Sequence, residues 1–197
     1  MSIAGPPPRV DAERFERHYE ASADPWNYRD SAYEREKYAA TLAALPPRRW
    51  KRALEVGCSI GVFSRLLAER CERLAAIDFS SRAVALARAH LAGKDNVEVV
   101  QASFPEQTPP GNWQLIVCSE VLYYLDEGTL ARALDWLQGQ LRADATVLAV
   151  SWRGAGAEEP LLGDDVHDLL ASRFAGWHAL DARQPGYRLD RFDGHGR

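Results

Sequence analysis

The sequence predicts an α/β fold: a doubly wound, mostly parallel sheet of seven strands with an antiparallel last strand, preceded by N-terminal helices. Three observations predict it. From Arg52 onward, short apolar runs alternate with longer segments of 3.6-residue period. Gly57 and Gly61 punctuate the first strand-to-helix junction. Pro185-Gly186 separates two strand-like runs near the end, a turn that closes a sheet edge with antiparallel strands.

The elements follow in order. Pro6-Pro7-Pro8 withhold backbone donors, so residues 1–10 are expected as a disordered tail. Asp11 is placed to cap a short amphipathic helix over Ala12 to Glu20. The turn Asp24-Pro25-Trp26-Asn27-Tyr28 precedes a second helix, Ala32 to about Ala44, capped by Ser31 with Glu34 in a capping-box arrangement. Residues 11–50 thus form a helical cap, and 51–197 the core of the same single domain.

Five apolar runs predict the parallel strands: Ala53–Val56, Leu74–Ile77, Val97–Val100, Trp113–Cys118 and Thr146–Ser151. Between them lie helical patterns over Ile60 to Arg70, from Ser80 to about Leu91, and Glu127 to Gln140. Strands of about five residues joined by helices of about ten or more imply right-handed βαβ units. A further helix spans Leu161 to about Phe174, and Trp177–Ala182 and Tyr187–Phe192 are the last strands.

Composition excludes several classes. The charged fraction is 26% and the formal charge is -4, from 24 Lys plus Arg against 28 Asp plus Glu. Such a surface exerts no long-range pull on nucleic acid or anionic lipid. No stretch approaches the roughly 18 apolar residues of a membrane span, and the first ten residues carry neither a basic n-region nor an apolar h-region. Cys58, Cys71 and Cys118 form no C-x-x-C pair, and His18, His90, His178 and His195 share no ligand spacing, so no metal is expected. The expected location is the cytoplasm, with the cysteines as buried free thiols.

The sharpest local signal is Glu55-Val56-Gly57-Cys58-Ser59-Ile60-Gly61. Gly57 stands at the carboxyl end of the first strand, where a missing Cβ admits a tight turn and a ligand close to the backbone. Gly61 opens the next helix, whose first amides lack intrahelical partners. Asp78 ends the second strand roughly 20 positions later, where a carboxylate accepts ribose hydroxyls. Glu55 lies beneath the turn, placed to brace it or to meet a cofactor's amino group. Ala102, Ser103 and Phe104 follow the third strand as an expected adenine edge.

These landmarks resemble the class I S-adenosylmethionine-dependent methyltransferases, with Cys58, Ser59 and Ile60 standing between the two glycines. More narrowly, the chain resembles the nodulation protein S group. The marks are Asp24-Pro25-Trp26, Tyr33-Glu34-Arg35-Glu36-Lys37, Glu55 to Gly61, Ser119 to Tyr124, and Ser151-Trp152-Arg153 with Gly163-Asp164-Asp165-Val166-His167. The resemblance implies a Rossmann-like methyltransferase fold, S-adenosylmethionine as cofactor, and N-methylation of a small amine or amino-sugar acceptor. By carry-over Trp26 covers the cofactor and Arg35 or Lys37 meets its carboxylate, while Cys58, Phe79 and Ser119 complete its surroundings. Relatives often carry His where Ser151 stands, which implies a different acceptor or different handling of it.

On the acceptor side, Glu120 is expected to bind or deprotonate a cationic amine, and Tyr123 or Tyr124 to place it. His167 is a second base by virtue of its ordinary pKa. Three other readings stand beside this one: a nicotinamide oxidoreductase, a nonenzymatic nucleotide-binding regulator, and an O-methyltransferase of a small hydroxyl or carboxylate acceptor.

Overall fold

A computed structural model describes residues 12–154 and 160–194. The expected tail over residues 1–10, the cap at Asp11 and His195 lie outside the described residues. Helices α1 (Ala12–Ala21) and α2 (Ala32–Ala43) come first, then β1 (Ala53–Val56), α3 (Val62–Leu67), β2 (Leu74–Asp78), α4 (Ser81–His90) and β3 (Val97–Gln101). The second half holds β4 (Leu115–Ser119), α5 (Glu127–Arg142), β5 (Thr146–Trp152), α6 (Gly163–Arg173), β6 (His178–Arg183) and β7 (Tyr187–Asp193).

One seven-stranded sheet runs in the order β3-β2-β1-β4-β5-β7-β6. β1 to β5 are parallel, and β7 pairs antiparallel with both β5 and β6, so the hairpin's second strand is inserted between the fifth and sixth. Strand order reverses between β1 and β4, which opens a crevice at their carboxyl ends, the place where open α/β sheets bind ligands.

β1 and β2 are buried along their whole length, as parallel strands covered on both faces must be. Leu54, Ile116, Leu137 and Phe192 anchor the core on one face, and Leu67, Leu115, Leu148 and Leu189 on the other. Tyr38, Leu45 and Trp50 belong to the second cluster, so α2 and the segment after it are packed into the core. α1 lies on α4: Glu16 Oε1 accepts from the Ser81 amide at 2.7 Å, and Arg82 reaches Glu20 at 2.7 Å.

Of the element boundaries that differ from the sequence reading, those of α3 and β4 have a local reason. The helix expected from Ile60 starts at Val62 because Ser59 and Gly61 take φ of 49° and 81° and hold the chain out of helical geometry; past Leu67 it tightens into a 3-10 turn, Ala68–Arg70. The strand expected from Trp113 starts at Leu115, since its ladder partner β1 begins at Ala53. Among the described residues no helix is long and apolar enough to cross a membrane.

Candidate functional site

The crevice over β1, β2 and β4 has a volume of about 480 Å³. Its floor is the turn after β1. Gly57 has φ 80°, and a Cβ there would lie 2.1 Å from Val121 Cγ2 and 3.2 Å from the Ser119 carbonyl oxygen, so no other residue fits. The amides of Gly57 and Cys58 both donate to the Ile77 carbonyl, at 2.9 and 3.0 Å, and tie the turn to β2. Gly61 is a packing glycine outside the crevice lining, where a Cβ would meet Leu91 and Ala87 of α4.

Asp78 is nearly buried and holds the rim together. Its Oδ2 accepts from the Ser59 amide and its Oδ1 from the Ser80 amide, each at 2.9 Å. The helix cap belongs to Ser80, whose Oγ accepts from the Ala83 amide. Each Asp78 oxygen therefore keeps acceptor capacity toward the crevice. Burial pushes Asp78 up to about 6 against its amide bonds.

Glu55 is buried beneath the turn, and its Oε2 has no hydrogen-bond partner among the described residues. Burial pushes it up to about 7. Cys58 lines the crevice with its thiol pushed up by burial, and all three cysteines are free and buried. Ala102, Ser103 and Phe104 line the far wall, with the Phe104 ring edge-on to Trp136 at 5.4 Å.

An aromatic roof covers this floor. Trp26 packs against Phe15 at 5.9 Å, Tyr19 at 5.5 Å and Tyr28 at 5.8 Å between ring centroids. Phe15 in turn meets Phe79 at 5.3 Å and Tyr124 at 5.0 Å, both edge-on. Such pairs contribute about 0.5–1.5 kcal/mol each beyond their buried area. Tyr19 shares a 2.6 Å hydrogen bond with Ser59 Oγ, so α1 is fastened to the glycine turn itself. Phe15, Tyr19 and Tyr28 were missed in the sequence; the four-residue spacing of Phe15 and Tyr19, which sets both on one helix face, was the available signal.

The polar end lies at β4. Ser119 and Glu120 line the crevice, and Glu120 sits at φ 56°. Its carboxylate is heavily engaged: Oε1 accepts from Lys37 Nζ at 2.6 Å, and Oε2 from the Tyr123 hydroxyl at 2.6 Å and the Trp152 amide at 2.8 Å. Lys37 also donates to Glu34 Oε1 at 2.9 Å. Burial alone would push Lys37 down, but Glu120 and Glu34 overrule it and hold it above its ordinary value.

Several expected site residues stand elsewhere. Lys37 is committed to two carboxylates, and Arg35 turns away to donate to the Asp30 carbonyl at 2.9 Å, so neither side chain lines the crevice. Tyr123 is buried behind Glu120 while Tyr124 lines the crevice. His167 is fully buried on α6 and outside the crevice lining, its Nδ1 2.5 Å from Asp190 Oδ2 in β7, against which α6 packs. Arg153 is held by Asp164 at 2.8 Å.

This sheet order, with its crevice at the strand reversal and a glycine turn facing a buried acid, defines the Rossmann-like methyltransferase fold. The Nodulation protein S (NodS) profile matches residues 10–158, and the chain belongs to that family. A nodulation protein S from Sinorhizobium fredii is 35% identical over 108 residues, covering 54% of this chain; the chain spans about half, 50%, of that relative's length. A crystal structure from Pseudomonas syringae, assigned only provisionally to the methyltransferases, is 40% identical with a TM-score of 0.72 over 83% of this chain and 99% of its own. The N-methyltransferase NodS from Bradyrhizobium japonicum, solved with S-adenosyl-L-homocysteine, superposes with a TM-score of 0.77 at 22% identity, covering 93% of this chain and 98% of its own, a likeness of fold.

Proposed function

We propose that the chain is an S-adenosylmethionine-dependent methyltransferase that N-methylates a small amine or amino-sugar acceptor. The observation that carries the cofactor is the set of unfilled acceptors around a turn with no room for a Cβ. Asp78 has acceptor capacity for ribose hydroxyls, and the orphaned Glu55 Oε2 calls for a donor such as an ammonium. A nucleoside carrying an amino-acid tail meets both demands. Ser103 and Phe104 would flank its base, Trp26 and Phe79 its roof, and Ser119 the acceptor-facing side. In this reading α1 and the turn after it form the cap over the cofactor.

When bound, this cofactor supplies a methyl group already activated on a sulfonium. The chain's own residues then have three tasks: to fix the ligand's sugar and amino group, to keep water out beneath the aromatic roof, and to present an uncharged acceptor nitrogen in line. Excess acid at the polar end favours an amine over a carboxylate there, since Glu34 and Glu120 face a single Lys37.

Calorimetric titration with S-adenosylhomocysteine and with NAD, run beside mass-resolved methyl transfer to amino sugars, aliphatic amines, phenols and carboxylic acids, tests this. Uptake of S-adenosylhomocysteine alone, with mass gained by the amines, is the expected result. Methylated phenol or carboxylate without methylated amine would move the assignment to O-methylation. Uptake of NAD would overturn the methyltransferase reading.

A further inference from the structure

At the polar end of the crevice, Glu34 is the carboxylate with an oxygen that accepts no hydrogen bond from the described residues. Ser31 Oγ accepts from the Glu34 amide at 3.3 Å and caps α2, but the Glu34 side chain does not close the box back onto Ser31. It points inward, with the residue 7% exposed, and lines the crevice. Oε1 accepts from Lys37; Oε2 is buried with no hydrogen-bond partner among the described residues, and the Tyr38 hydroxyl is near enough to offset part of the upward push that burial gives the carboxyl. Glu120, by contrast, has three donors on its two oxygens.

Charge leads to the same place. Two carboxylates share one buried ammonium, which leaves a net negative charge for an arriving cation to balance. A buried acceptor left unmade is costly, and a ligand N–H removes that cost. We propose that Glu34 is the acceptor-binding base, receiving the substrate's ammonium on Oε2 and taking its proton, while Lys37 and Glu120 hold Glu34 in position. This rests on the N-methyltransferase reading above and deepens it.

The step balances as follows. The ammonium N–H bond breaks, its proton passing to Glu34 Oε2 and its electron pair staying on nitrogen. That pair forms the new N–CH3 bond as the C–S bonding pair returns to sulfur. The product leaves as a methylated ammonium, and the proton on Glu34 is released to solvent. Burial raises Glu34 above its ordinary value, which suits a proton acceptor. The groups that face it are Lys37, Tyr33 and Tyr38 on its own helix, Tyr28 from the preceding turn and Glu120 from the end of β4.

The test compares E34Q and E34D with the wild type, using glucosamine and propylamine as acceptors and S-adenosylhomocysteine as the cofactor probe. E34Q is expected to lower kcat/KM for the amines by about 100-fold, the scale of a lost general base. E34Q should also weaken calorimetric amine binding to the S-adenosylhomocysteine complex and remove the acidic limb of the kcat/KM profile. S-adenosylhomocysteine affinity should be unchanged, and E34D should recover part of the rate. Amine turnover left intact in E34Q overturns the role of Glu34 alone. An equal loss of S-adenosylhomocysteine binding overturns it too, by assigning that charge to the cofactor's amino-acid end. Wild-type protein that binds S-adenosylhomocysteine but methylates no amine overturns the N-methyl reading and this proposal with it.

Discussion

Lys37 Nζ lies 2.6 Å from Glu120 Oε1, joining α2 to the end of β4 across 83 positions of sequence. The side chains are 3% and 13% exposed, so Glu120 depends on Lys37 for compensation, while Lys37 is balanced by both Glu120 and Glu34. Truncating one partner of such a pair leaves a buried charge alone, at a cost of about 3–5 kcal/mol. K37M should therefore lower the unfolding free energy by about that amount in urea, with the denaturant slope unchanged.

The turn after β1 predicts a local failure. In G57A the added methyl would meet Val121 at 2.1 Å in a backbone conformation at φ 80° that disfavours any Cβ. Stability should fall by about 1–3 kcal/mol, and S-adenosylhomocysteine affinity should fall with it. Adding V121A should restore part of the stability, because it removes the clash and leaves the φ cost in place.

The acids beneath the crevice make stability depend on pH. Glu55 stands at about 7 and Asp78 at about 6, both raised by burial above their unfolded values. The folded, ligand-free chain thus binds more protons than the unfolded one in that window, so this contribution is present at low pH and is lost as pH rises through about 6 to 7. The difference in urea midpoint between E55Q and wild type should widen in favour of E55Q from about pH 5 to about pH 8. A bound ligand ammonium stabilises ionised Glu55, so S-adenosylhomocysteine binding should release protons near neutrality, read from the dependence of the binding heat on buffer.

Asp190 predicts the opposite division of effects. It is fully buried in β7 with His167 and His178 each 2.5 Å away and Arg188 at 2.9 Å, and none of the four lines the crevice. D190N should cost about 3–5 kcal/mol in urea unfolding. KM for cofactor and acceptor in the folded fraction should not move.

The parallel strands were legible because Ala53–Val56, Leu74–Asp78 and Leu115–Ser119 are short apolar runs whose period changes abruptly at the following helix. Gly57 and Asp78 were legible as crevice residues because strand order puts the ends of β1 and β2 side by side. The true start of α3 was hidden, since nothing in Ser59 announces a left-handed backbone. Arg35 and Lys37 stand outside the crevice lining because a motif fixes the spacing of charges on a helix but not which face the rest of the chain will bury. His167 illustrates the same limit: its partner Asp190 is contributed by a strand 23 positions away, and only the packing of α6 on β7 joins them.

β7 occupies the slot between β5 and β6, so spatial order and order of synthesis are inverted at that edge. As the chain leaves the ribosome, β5 is complete while its neighbour has yet to appear, and β6 emerges with no strand to pair with. An unpaired apolar strand is a template for other chains. Translation of the final hairpin is thus the interval in which a nascent molecule is most exposed to aggregation, and a chaperone that shields β5 would matter most there.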